Sequence, residues 1–159
     1  MINDQEFLYG AAFLRLIEYG ERLKITYASW IHPSIYLVET DSSNLAVLFK
    51  VSKKPKSAWP FTLSNQEGLA LDTLRIKYYD ATVFLAFICH KDGICCISEK
   101  RLWSILDKNS SIADQHISVS RKAHSSYHVS GPGRQRMEQT VPQNDWPRIL
   151  FSNQDNTYE

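Results

Sequence analysis

The sequence predicts a single α/β domain, and three observations carry that prediction. Two segments with helical apolar spacing each open on a capping box, Asn3 with Glu6 and Ser64 with Glu67. Around them lie short segments of alternating apolar residues bounded by turn residues, the pattern of strands. The run from Thr82 to Cys89 is continuously apolar apart from its first residue, as in a central strand covered on both faces.

Taken in chain order, the first helix is predicted over 4–19, with Phe7, Ala11, Leu14 and Ile17 as its buried face and Gly20 as its stop. Leu23, Ile25 and Tyr27 alternate as a strand within 22–30, which His32-Pro33 interrupts. A second strand runs through Ile35 to Val38. The turn set Asp41-Ser42-Ser43-Asn44 leads to a third, Leu45 to Ser52, so that the three form an antiparallel meander. A polar loop with Pro55 and Pro60 precedes the second helix, which runs from Ser64 to Tyr79 and buries Ala70, Leu71 and Leu74. After the 82–89 strand, Asp92-Gly93 signals a tight turn, and Ile94 to Ile97 is its return strand. Ser98 caps a short helix carrying Leu102, Trp103, Ile105 and Leu106. Beyond Asp107 the composition turns to Ser, His, Gln and Gly, although Ile117 to Val119 and Tyr127 to Val129 still alternate as short edge strands. The organisation expected is an α/β core over 1–106, an appendage over 107–151 packed on it by Trp146, Ile149, Leu150 and Phe151, and a disordered tail over 152–159.

A chain of 159 residues with 43% hydrophobic content is long enough to bury one core and too short for a second domain. No apolar run reaches the roughly 18 residues of a membrane span, and the start of the chain lacks the basic-then-apolar order of a secretion signal. The expectation is a soluble protein with no membrane partner. Three cysteines lie inside apolar runs, where a thiol acts as a small hydrophobe, and this suits the reducing cytoplasm. Net charge is only +1, but its distribution is polarised. Lys50, Lys53, Lys54 and Lys56 with Arg121, Lys122, Arg134 and Arg136 fall in two acid-free segments, leaving seven net negative charges elsewhere. Such polarisation produces a local positive face suited to phosphate contacts. Trp59 and Phe61 interleave with the first basic group, as residues that stack on bases do; the same aromatics can instead anchor the loop in the core.

The order helix, three-strand meander, helix, strand over residues 4 to 90 resembles the αβββαβ core of the PD-(D/E)xK, or restriction-endonuclease-like, nuclease superfamily. In that family a Pro-Asp pair starts the second strand and an acid-x-Lys triplet lies on the third. Here those places hold Pro33-Ser34 and Leu48-Phe49-Lys50: the lysine matches and both acids do not. The resemblance implies a mixed sheet flanked by helices, a nuclease-like core over 1–106, and Lys50 as the catalytic position. It implies magnesium as the cofactor of an active member, but a serine at 34 supplies one neutral oxygen and a leucine at 48 none, where the ion requires carboxylates. Glu39 and Asp41 lie toward the hairpin tip, away from Lys50. In relatives that move a carboxylate onto a helix, the positions corresponding to Glu18 and Glu67 would hold the metal, with Glu21 and Asp72 nearby.

Other groupings are better read structurally. His116, His124 and His128 lack the helix that His-x3-His needs to share a metal. Cys89 and His90 are strand neighbours facing opposite ways, so they form no nucleophile and base pair. Ser130-Gly131-Pro132-Gly133-Arg134 reads as a surface turn. The reading carried forward is a nuclease-fold protein with a degenerate metal site and no cofactor. It acts by binding nucleic acid, DNA or RNA, or a partner that processes it, through Lys50, Lys53, Lys54, Lys56, Trp59, Arg121, Lys122, Arg134 and Arg136. The alternatives are an active metal-dependent endonuclease using Glu18 and Glu67, and a protein interaction module, such as an inhibitor, immunity or defence accessory protein. The last would present exposed aromatics around Tyr127, Trp146 and Phe151.

Overall fold

The first capping box closes as spaced: Asn3 Oδ1 accepts from the Glu6 N–H at 2.8 Å, opening helix α1 (Asp4–Glu18). The computed structural model describes residues 1–107 and 110–152. Strands β1 (Leu23–Tyr27), β2 (Ile35–Thr40) and β3 (Asn44–Ser52) form the antiparallel meander. Strand β4 (Trp59–Thr62) and helix α2 (Asn65–Lys77) then carry the chain to β5 (Thr82–Cys89), which pairs in parallel with β3. Strand β6 (Ile94–Ser98) returns antiparallel, completing a mixed five-stranded sheet in the order β1-β2-β3-β5-β6. After α3 (Glu99–Leu102), strands β7 (His116–Ser120) and β8 (His128–Ser130) join β4 in a second, three-stranded sheet, and α4 (Arg148–Phe151) follows. The chain is therefore mixed α/β. Among the described residues no helix is long and apolar enough to cross a membrane.

Alternation along the two central strands decides where everything else packs. Ala46 and Leu48 of β3 and Leu85 and Phe87 of β5 point to one side, where they meet Ala70, Leu71 and Leu74 of α2. The second sheet packs on the same side through Ile117, Val119, Tyr127 and Val129. Val47, Phe49, Phe84, Ala86 and Ile88 point to the other side, against Leu8, Ala12 and Leu16 of α1 and Trp146, Ile149 and Leu150 near the end of the chain. The Trp146 indole N–H donates to Ala12 O at 3.1 Å, so a residue late in the sequence fixes the seating of the first helix.

Four features differ from the sequence expectations, the first being that α3 ends at Leu102 with Trp103 as its cap, so that Ile105 and Leu106 lie beyond the helix. The buried face of α1 is Leu8, Ala12 and Leu16, while Phe7, Leu14 and Ile17 face outward. The Pro55 to Pro60 loop contains strand β4, in which Trp59 and Phe61 alternate inward; Pro60 is tolerated because β4 is an edge strand of the small sheet. Helix α2 ends at Lys77, with Tyr78 as its cap, rather than at Tyr79. The segment expected as a disordered tail lies, apart from Ser152, outside the described residues.

Candidate functional site

Parallel strands end side by side, and the chain leaving them must cross the same edge of the sheet, which is where α/β proteins assemble sites. Here β3 and β5 finish together at Ser52 and Cys89, and the His90 N–H donates to Ser52 O at 3.1 Å. The loop after β3 carries Lys53, Lys54 and Lys56, and the turn after β5 carries Lys91; all four are exposed. Strand β4 pairs with β7 so that Trp59 faces Val119, and the Arg121 N–H donates to Ser57 Oγ at 3.0 Å. This brings exposed Lys122 to the same rim. Two basic segments more than sixty residues apart in sequence thus meet through the second sheet.

The carboxylates on this rim are already engaged. Lys50 Nζ lies 2.8 Å from Glu67 Oε1, with the side chains 18 and 6% exposed. The same Oε1 accepts from the Ser64 N–H at 2.8 Å, while Ser64 Oγ accepts from the Glu67 N–H at 3.1 Å. Glu67 therefore closes the capping box of α2 and neutralises Lys50 at once. Asp92 accepts two bonds from Arg121, at 2.9 and 2.7 Å, and a third from the Tyr127 hydroxyl at 2.7 Å. The Arg121 hydrogen bonds, followed in the same direction by that of Tyr127, hold the Asp92 carboxyl below the usual carboxylate range, against partial burial. Burial, with Asp92 adding to it, pushes the Tyr127 hydroxyl far up. What remains without a counter-charge on the rim is lysine, although Lys54 Nζ also donates to Ala58 O at 2.6 Å within its own loop.

At the two family-like acid positions the structure places no carboxylate. Leu48 is fully buried, paired with Ile35 on one side and Leu85 on the other. Ser34 immediately precedes β2: its carbonyl accepts from the Phe49 N–H at 2.9 Å, and its N–H donates to His32 Nδ1 at 3.0 Å. Burial raises the Tyr9 pKa above the ordinary tyrosine value, with the neighbouring Ser34 side chain acting the other way. Glu39 is paired with Asn44 at the opposite end of the hairpin, as its spacing predicts. Glu18 is exposed in the last turn of α1, nine residues beyond Tyr9 and so about 14 Å farther along the helix. Glu18 and Glu67 are not brought together. A divalent ion does not fit these side chains: Leu48 has no donor atom, and the Glu67 carboxylate is already bound to Lys50 and to a backbone N–H. Among the described residues no three of His, Cys, Asp and Glu converge as a metal site would require.

Several further expectations are revised. Trp59 is only 2% exposed and its indole donates to Lys54 O at 2.8 Å, so it anchors the basic loop and offers no face to a base. Arg121 is committed to Asp92 and to the Lys122 and Ser125 carbonyls. Arg134 and Arg136 follow the Ser130 end of β8, which pairs with Ser118, whereas Lys122 lies beyond Ser120, which pairs with His128; they occupy the far end of the small sheet. Tyr127 and Trp146 are buried, so they are not exposed anchors for a partner. Lys91 was missed by the sequence reading; its signal is its position immediately after the long apolar strand. No family model matches the chain, and neither a curated protein nor a solved structure matches it.

Proposed function

We propose that this chain is a degenerate relative of the PD-(D/E)xK nucleases that acts by binding nucleic acid along the rim where β3 and β5 end. The observation that carries the reading is the collection of Lys53, Lys54, Lys56, Lys91 and Lys122 on one edge whose acids, Glu67 and Asp92, are both neutralised by internal partners. A strip of cations with no free acid is what a phosphate backbone requires, so the contact is to the backbone and independent of sequence. Lys50, held by Glu67, positions the start of α2 rather than touching the ligand.

Binding to a labelled duplex in EDTA, followed by fluorescence anisotropy across a salt series, tests it. If all five lysines engage phosphates, log K falls against log[salt] with a slope of about −4.5, and each Lys→Ala substitution on the rim reduces that slope by about 0.9. Lys24→Ala, on β1 away from the rim, leaves the slope unchanged. Salt-independent binding, or none, sinks the proposal. Cleavage of the duplex in magnesium or manganese that disappears in Lys50→Ala overturns it in favour of the catalytic alternative.

A further inference from the structure

Helix α1 carries a second apolar face that the rest of the chain leaves uncovered. Phe7, Leu14 and Ile17 are 65, 56 and 65% exposed. An exposed apolar stripe of this length on a helix marks an association surface. Beside it runs a groove of about 250 Å³ between α1 and the turn joining β5 to β6, floored by Leu8, Ile88 and Ile94 and bordered by Arg15, His90 and Lys91. That volume falls below the roughly 300–1,000 Å³ of small-molecule sites and suits side chains from a docked helix.

Two further observations say what the occupant is. Gly10 sits in the middle of α1, where it weakens the helix relative to alanine, yet a Cβ there would meet nothing within 4 Å inside the chain. Nothing internal calls for that glycine; with Ala11 it forms a low point between Phe7 and Leu14 where a second helix can approach closely. Asp4 and Arg15 are eleven residues apart, about three turns, and so share one flank of α1, the flank that borders the groove. Neither has an ion-pair partner among the described residues. If two copies of α1 pack antiparallel about a twofold axis, this flank lies on the same side of both helices, and Asp4 of each copy meets Arg15 of the other. In a parallel pair the twofold runs along the helices and sends this flank to opposite sides, so neither Asp4 nor Arg15 would meet a partner.

We infer that the outward face of α1 is a self-complementary interface through which two copies of this chain form an antiparallel helix pair, with Phe7 of each entering the groove of the other. One helix face per copy is smaller than the roughly 800 Å² of a standard interface, so the dimer is reversible and concentration-dependent. Sedimentation velocity over a concentration series up to about 500 μM, with melting curves as the control on folding, decides the matter. The wild-type chain is expected to shift from monomer to dimer within that range. Phe7→Asp remains monomeric with an unchanged melting curve, because Phe7 contributes little to its own core. Asp4→Arg and Arg15→Asp each weaken the dimer about tenfold or more, and the double reversal restores it, since the pair is re-formed with its signs exchanged. A wild-type monomer throughout, single reversals without effect, or a double reversal no better than the singles overturns the inference. Phe7→Asp retains the salt-dependent binding to duplex, which separates a failure of this inference from a failure of the proposed function.

Discussion

Replacing Asp92 by alanine tests whether the turn after β5 is locked to the second sheet by charge. In the native chain the Asp92 carboxylate accepts from Arg121 twice and from Tyr127 once, and the Asp92 backbone carbonyl separately accepts from Gln143 at 2.8 Å. Tyr127 is fully buried, so the variant leaves its hydroxyl without that acceptor, a loss of about 1–2 kcal/mol. The Arg121 and Asp92 side chains are 13 and 19% exposed. That is enough solvent to discount the pair below a fully buried one, and Arg121 keeps two carbonyl partners, so a further loss of about 1–2 kcal/mol follows. The total is about 3 kcal/mol, or a fall in melting temperature of about 6–12 °C for a domain of this size. Tyr127→Phe removes the hydroxyl together with its need and costs about 1 kcal/mol; the two changes combined should cost less than their sum. The pH dependence has a definite sign. The folded pKa of Asp92 is depressed, so its contribution is complete above the unfolded value of about 3.9 and disappears as pH falls through the lower folded value. The gap between wild type and Asp92→Ala, measured by circular dichroism melts, should be constant from about pH 5 to 8 and narrow below about 3.9. A gap under about 2 °C at neutral pH, or one that persists undiminished in acid, refutes the reasoning.

Three other outcomes follow from the same packing. Lys50→Met strands the Glu67 carboxylate in a largely buried position with the Ser64 N–H alone, and should lower stability by about 2–3 kcal/mol in denaturant melts. Lys53→Ala, at an exposed position, should stay within about 0.5 kcal/mol; equal effects of the two would show the ion pair to be unimportant. Gly131→Ala would place a Cβ 1.8 Å from Ile105 O and should cost about 3 kcal/mol or more, whereas Gly133→Ala, with nothing within 4 Å, should be near neutral in the same assay. Cys89, Cys95 and Cys96 are fully buried, and burial raises each thiol pKa, so all three should resist a thiol-specific chromogenic reagent at neutral pH until the chain unfolds. Rapid labelling of any one in the native protein contradicts that burial.

The element order was legible because its signals are local. Both capping boxes, the meander turns and the Thr82 to Cys89 run each depend on residues within a few positions of one another, and each formed where it was expected. The misreadings all involve choices made at a distance. Helix α1 is apolar on two faces, and periodicity alone selects the cleaner stripe of Phe7, Leu14 and Ile17. The actual inward face was decided by Phe49 and by Trp146, whose indole reaches Ala12 from 134 residues away. Strand β4 looked like a loop because Pro55 precedes it, Pro60 lies within it, and its partner, β7, is more than fifty residues downstream. Glu67 was legible as a helix cap, but its pairing with Lys50 needed the crossover from β3 to α2 to be built. The same holds for the basic residues. Sequence grouped them by proximity along the chain, which joined Arg121 and Arg134 to one patch. The structure groups them by sheet register, which removes Arg121 into an ion pair, sends Arg134 and Arg136 to the opposite end, and adds Lys91 from the end of β5. Charge clusters on a folded surface are therefore a product of strand pairing. Where two acid-free segments are brought together on one edge while the nearby acids are consumed internally, the edge carries more positive potential than either segment implies by itself.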